Sequence, residues 1–361
     1  MTTLMDCSNQ WATRPDDERF TSLTALHDHV VNQRAHSRGA VVSSRKIQCE
    51  PDGNKGLLVR GPNGNGFAPT HHAFGQLATL AGAPGGYLRT LPAPMAADCI
   101  NFGLQVTRNV EDVSVLLYKN GDAVMRAATG PKYGRIWNSD IVAALRSRFG
   151  DGVTGKFRVP GMFGKALSEV TKENTTLYAG DRDMFVFLAD EQNRIEMPGR
   201  RDGLTGSLAR GFFVWNSEVG AATFGIKAFL FDYVCCNRIV WGAKDVQQFT
   251  IRHTSGAPDR FIEEAAPILL SYANSSTATI EQTLQAARRE RLENVDAFLA
   301  QRFGARMVDK IKAAHVADEA RPIETAWDAV TAITAYARGI ANQDARVALE
   351  EQAGDILTAV A

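Results

Sequence analysis

The stretch from Gly211 to Gly242, GFFVWNSEVGAATFGIKAFLFDYVCCNRIVWG, limits the folds open to this chain more than any other. Phe212 to Trp215 is a short apolar run that ends in the polar Asn216-Ser217-Glu218, and the apolar pattern resumes from Phe224 to Val234. Short runs rich in aromatic and β-branched residues read as two buried strands around a turn, although Ala228 to Phe231 also suits a buried helix. Three polar residues between core segments must turn the chain, cap a helix or line a site. Asn and Ser side chains that bond to nearby backbone account for a turn, and a pocket formed by Asn216, Ser217, Glu218 and His253 is the functional alternative.

WNSEVG, the apolar run that follows it, CCNRIVWG, and IRHT at Ile251 to Thr254 together resemble a phage- and plasmid-encoded family known as domain of unknown function 932. APTHHAFGQLATLAGAPGGYLRTLP (Ala68 to Pro92), KYGRIWNSDIV (Lys132 to Val142) and NTTLYAGDRDMFVFL (Asn174 to Leu188) fit the same pattern, so the resemblance spans about Phe20 to Phe261. It brings no established catalytic residues. Association with mobile elements implies a role in replication, recombination, transfer or evasion of host defence.

The 361 residues predict one large domain with an appendage, or two domains. Net charge is zero, which argues against a uniformly basic coat but permits a local basic face. The first residues carry acids and no apolar h-region, so no secretory signal is expected. No stretch approaches the ~20 apolar residues of a membrane span, and a cytoplasmic protein with no membrane partner is expected. Cys7, Cys49, Cys99, Cys235 and Cys236 are odd in number and scattered, which reads as reduced thiols and not a disulfide frame.

Phe20, Leu23, Leu26, Val30 and Val31 predict a helix capped by Thr21 or Ser22. Ala40 to Gln48 and Gly56 to Arg60 read as a hairpin around Pro51 to Asn54. Gly61 to Gly66 is glycine-rich but lacks the lysine, hydroxyl and spacing of a P-loop, so it reads as a surface turn. Thr70 caps a predicted helix to Leu80. Asn101 to Val106, Val113 to Tyr118 and Ala123 to Ala128 read as a three-stranded antiparallel meander, which favours an α+β over a doubly wound fold. Neither adjacent His71 and His72 nor His27 and His29 have metal-chelating spacing on a helix, so no metal or cofactor is expected.

From Arg126 to Lys172 the chain carries nine basic side chains against three acidic ones, interleaved with Tyr133, Trp137, Phe149, Phe157 and Phe163. Aromatic faces beside a basic groove bind single strands with little sequence preference, and Lys and Arg supply the salt-dependent phosphate term. Lys132, Arg135, Arg146, Lys156 and Arg158 are the candidate phosphate contacts. The competing reading makes Trp137, Ile141 and Leu145 a buried helical stripe with solvated charges around it.

Asp181 and Asp183 lie in a turn where two carboxylates alone are too few for a cation site, and Pro198 to Gly203 reads as a mobile basic loop. Val246 to His253 reads as the last strand. Beyond Asp259 only helical patterns follow: one from Ile262 to Leu269, a long charged helix from Ile280 to Leu299 broken at Gly304, another around Val308 to Ala314, and a stripe at Trp327, Val330, Ile333 and Tyr336. Residues 279 to 361 carry ten basic and thirteen acidic side chains, which suits a lid or an oligomerisation arm better than a nucleic-acid grip.

These readings predict an α+β protein. A largely antiparallel sheet core with flanking helices spans residues 1–260, and a helical extension spans 261–361. The leading functional expectation is a non-catalytic accessory of a mobile element that binds nucleic acid, single-stranded DNA above all, in annealing or recombination. An inhibitor of a host defence protein and an enzyme with Glu218, Asp181 and His253 around one pocket are the alternatives. A homo-oligomer is compatible with each.

Overall fold

The structure is a computed structural model. It describes residues 14–53, 56–61, 64–107, 112–159, 170–173, 175–190, 192–199, 205–232, 237–239, 249–274, 276–340 and 343–360. Cys7, Cys235, Cys236, Phe163, Lys165 and most of the predicted basic loop at Arg200 to Gly203 lie outside them.

The chain opens with β1 (Arg19–Phe20) and α1 (Leu23–Ala35), which Ser22 caps by accepting the Ala25 N–H at 3.1 Å. Next come β2 (Ser37–Ser43), β3 (Cys49–Asp52), β4 (Gly56–Arg60) and β5 (Gly66–Pro69). Thr70 caps α2 (His71–Leu80), as its sequence predicts, and the short α3 (Gly85–Leu88) leads to α4 (Ala93–Val106). β6 (Asp112–Asn120) and β7 (Asp122–Thr129) form a hairpin, and α5 (Asn138–Phe149) follows. The remaining strands are β8 (Phe157–Arg158), β9 (Leu177–Ala179), β10 (Met184–Asp190), β11 (Ile195–Met197), β12 (Gly206–Asn216), β13 (Phe224–Asp232), β14 (Asn237–Ile239) and β15 (Phe249–Ile251).

Two sheets result, so the α+β expectation holds. The larger runs β1-β9-β10-β12-β13-β14, with β8 on β10, β11 on β12 and β15 on β13, and every pairing is antiparallel. The smaller runs β2-β6-β7-β5-β4-β3 and is antiparallel except between β5 and β7.

Both faces of the larger sheet are covered, which explains why its strands read as nearly continuous apolar runs. Met184, Val186, Leu188, Phe212, Val214, Phe224 and Ile226 share a core with Leu23, Leu26 and Val30 of α1 and Ile141, Val142 and Leu145 of α5. Phe185, Phe187, Phe213, Trp215 and Phe229 form an aromatic cluster from the alternate positions of the same strands. Its rings need glycine across the strand: Trp215 pairs with Gly225 and Phe229 with Gly211. A Cβ on Gly225 would sit 2.0 Å from the Trp215 ring, and one on Gly211 would sit 2.1 Å from the Phe229 ring.

Three local expectations change. Asn101 to Val106 is the end of α4, not a strand, because Ala93, Ala96, Ala97, Ile100, Gly103 and Leu104 continue one buried helical face through it. The meander is therefore the β6–β7 hairpin alone. β2 pairs with β6, and the hairpin at Asp52 joins β3 to β4 instead. The long charged helix divides at Glu290 to Asn294, where the Leu292 N–H donates to Glu324 O and the Ala326 N–H to Glu290 O.

After β15 only helices follow: α6 (Ala257–Arg260), a π-helical turn (Phe261–Ala265), α7 (Ala266–Asn274), α8 (Ala278–Arg289), α9 (Val295–Phe303), α10 (Ala305–Glu319), α11 (Ala326–Arg338) and α12 (Gln343–Val360). They do not stand apart from the sheet. Ile195, Leu208, Leu230 and Ile239 share a core with Leu284, Ile311, Trp327, Val330 and Ile356. α11 is buried along nearly its whole length, with a Thr325–Asp328 capping box at its start. Among the described residues no helix is long and apolar enough to cross a membrane.

Candidate functional site

The Asn216-Ser217-Glu218 turn is wholly buried, with relative exposures of 0%, 0% and 2%. Buried polar groups need partners, and these find them on segments far away in the chain. Ser217 Oγ donates to Arg182 O at 2.7 Å and accepts the Ala221 N–H at 2.9 Å. Asn216 Nδ2 donates to Ile136 O at 2.9 Å and to Asn138 Oδ1 at 2.8 Å. Glu218 Oε1 accepts the Asn138 N–H at 2.8 Å, and Oε2 lies 2.9 Å from Arg126 Nη2 on β7. The turn thus fastens the larger sheet to the smaller one and to the segment that leads into α5.

That segment is gripped on both sides. Tyr133 donates its hydroxyl to Ser217 O at 2.6 Å, and Arg135 Nε donates to Glu218 O at 2.7 Å. From the other side His253 stacks on Tyr133 with centroids 4.8 Å apart, and its Nδ1 lies 2.9 Å from Gly134 O. Burial drives the His253 pKa down to about 4, against the hydrogen bond to Gly134 O, which raises it, and with a smaller push downward from the Arg135 charge. The imidazole is therefore neutral at pH 7, with its Nδ1–H donated to Gly134 O. Burial also lowers His29, which the Arg126 charge reinforces, and lowers His72, which the Arg182 charge reinforces.

Glu218 and His253 accordingly belong to one polar junction, bridged by Tyr133 and Arg135. Asp183 instead pairs with Arg14, and Asp181 is exposed. Among the described residues no cluster of His, Cys, Asp or Glu has the makings of a metal site. Among the described residues several buried atoms of the junction find no hydrogen-bond partner: Asn216 Oδ1, Glu218 Oε2, Arg126 Nε, Arg135 Nη2 and His253 Nε2. Glu218 Oε2 still has the Arg126 charge beside it, so that contact is an ion pair without hydrogen-bond alignment.

The five candidate phosphate contacts string out along α5. Lys132 and Arg135 lie before its first turn, and Lys156 and Arg158 follow its last. Along β10 the two ends are set by Met184, paired with Asn216, and Ala189, paired with Arg158. Five residues of strand separate them by roughly 17 Å. Lys132 is exposed. Arg135 is half-buried and committed to Glu218 O. Arg146 meets His27 Nδ1 at 2.9 Å, Lys156 lies 3.6 Å from Asp190 Oδ2, and Arg158 bonds Gly155 O at 2.6 Å and Thr154 O at 3.3 Å.

The interleaved aromatics divide differently from the sequence pattern. Phe149 and Phe157 are core residues, whereas Trp137 is half-buried at the start of α5. The Arg34 and Arg135 guanidinium carbons lie 5.1 and 5.6 Å from its ring centroid. Arg34 and Arg126 are the residues that sequence reasoning missed. For Arg126 a signal existed: a single charge inside the apolar run Ala123 to Ala128 marks a paired, buried cation. Arg34 offered none, because only the packing of α1 on α5 brings it to Trp137.

No curated protein and no solved structure matches the chain. Residues 166–353 match one family, described as a domain of unknown function. The match takes in β9 to β15 and reaches into the last helix; it leaves out Ala68–Pro92 and Lys132–Val142, so it begins and ends later than the Phe20 to Phe261 span expected from the motifs. It covers more than half of the 361 residues, and the chain therefore belongs to the DUF932 family.

Proposed function

We propose that this protein binds nucleic acid, single-stranded DNA in preference to duplex, as a non-catalytic accessory of a phage or plasmid in strand annealing or recombination. One observation carries the reading: the half-buried Trp137 ring lies against two guanidinium groups at the head of a basic track about as long as α5. A base stacks on such a ring while Arg34, Lys132, Arg146, Lys156 and Arg158 meet successive phosphates. The track of roughly 17 Å is long enough for a few nucleotides. Neutral net charge supports a confined track over a general coat.

Fluorescence anisotropy with labelled single-stranded and duplex oligonucleotides across a salt series tests this. The expected result is tighter single-strand binding that falls linearly in log–log salt, with Arg34→Glu, Lys132→Glu and Lys156→Glu together reducing the slope by about two, at ~0.7 per phosphate. Absence of binding at low salt, or an unchanged slope in the triple variant, defeats it.

A second reading, a pocket for a small polar ligand at Glu218, draws on the unpartnered atoms of the junction. Saturation of a ligand-induced thermal shift that Asn216→Ala abolishes would support it, and no shift across a library of polar metabolites would remove it.

A further inference from the structure

α4 turns Ala96, Ala97, Ile100, Gly103 and Leu104 into the core beneath the smaller sheet. Its outward face is apolar too. Met95 is 53% exposed, Phe102 68% and Val106 56%, and Cys99 is exposed between them. Single exposed apolar residues are ordinary, but these four form one row. They recur at steps of four, three and four, the spacing of a seam that faces a second helix. Asn101 fixes the rotation of α4 that keeps the row outward: its side chain accepts the Cys49 N–H and donates to Cys49 O, both at 2.8 Å. That bond pair also occupies the free edge of β3, so the edge strand is closed to a partner while the helix face is open.

We propose that this row is the interface of a homodimer in which two copies of α4 pack antiparallel about a two-fold axis. An axis that crosses the helix midway between Ile100 and Asn101 sets Met95 against the partner subunit's Val106, and Cys99 against the partner subunit's Phe102. Each contact then joins a longer side chain to a shorter one, and every residue of the row is used once on each copy, as an isologous interface requires. Charge agrees with self-pairing. Asp98 is the one charged residue of α4, and the same axis brings it to the partner subunit's Gln105, an amide donor, rather than to a second Asp98. One helix pair covers an area at the lower end of specific interfaces, so the dimer is reversible and concentration-dependent.

Sedimentation equilibrium of the full chain, without nucleic acid, from low to high micromolar concentration tests the proposal. The wild type is expected to pass from monomer to dimer, and Phe102→Glu to stay monomeric with an unchanged circular dichroism melt. A wild type that is monomeric throughout, or a Phe102→Glu variant that dimerises as the wild type does, overturns it. Orientation is tested by oxidative cross-linking in a Cys99→Ala background. Met95→Cys mixed with Val106→Cys should give a covalent heterodimer, and a covalent dimer of Met95→Cys alone would overturn the antiparallel register.

Discussion

Glu218 and Arg126 form a buried ion pair between the two sheets, with Oε2 2.9 Å from Nη2 and side chains 2% and 3% exposed. The remaining polar contacts of the turn converge on the same place. Removal of one partner leaves an uncompensated charge, so Arg126→Met should cost about 3–5 kcal/mol. Glu218→Gln should cost less than Glu218→Ala, since its amide oxygen still accepts the Asn138 N–H. Combined with Arg126→Met, Glu218→Gln should recover part of the loss. Urea denaturation reads this as shifts in midpoint at constant slope, and additive losses in the double variant would contradict the pairing.

Gly225 holds the space that the Trp215 ring fills, because its absent Cβ would lie 2.0 Å from that ring. Gly225→Ala forces the indole out of its place among Phe185, Phe213 and Phe229. A loss of about 1–3 kcal/mol is expected, as for an overpacked core. Trp215 emission should move to the red in the same variant. Wild-type stability in Gly225→Ala would mean that the ring has a second place to go.

His253 makes stability depend on pH in a definite direction. Its folded pKa of about 4 lies below the ordinary imidazole value of 6.5, so the unfolded chain takes up the proton first. The contribution is complete above pH 6.5 and is lost as pH falls from there towards 4. Denaturation midpoints should therefore drop between pH 7 and pH 5, and His253→Gln should flatten that part of the profile. A profile identical in the variant would place the pH dependence elsewhere.

Lys132 and Arg135 separate binding from folding. Lys132 is exposed with its ammonium free of any ion pair among the described residues, so Lys132→Ala should change stability by less than about 0.5 kcal/mol. The same change should lower the salt slope of strand binding by ~0.7. Arg135→Ala removes the bond to Glu218 O and the contacts with Tyr133 and Trp137, so it should lower the melting temperature as well. Equal effects of the two variants on stability would deny Arg135 its role in the junction.

Much of the architecture was legible in the chain. Strand pairing around Asn216-Ser217-Glu218 followed from two apolar runs and a polar break, and the caps at Ser22 and Thr70 followed from side chains that satisfy free amides at helix starts. The change to helices after Pro258 was legible from the change in apolar period. Asn101 to Val106 reads as a strand because six residues are too few to tell one from the last turns of a helix whose buried face begins at Ala93.

The amino-acid pattern dictates which residues must leave water: the runs of β10, β12 and β13, apolar at nearly every position, require cover on both faces. What the polar residues do is set by the packing of distant segments, because their partners are long-range. Glu218 meets Arg126 across 92 residues and Trp137 meets Arg34 across 103, and no local period encodes either encounter. Burial is a property of each segment's own pattern, whereas charge pairing is settled by how the two sheets and the helices α1 and α5 come together.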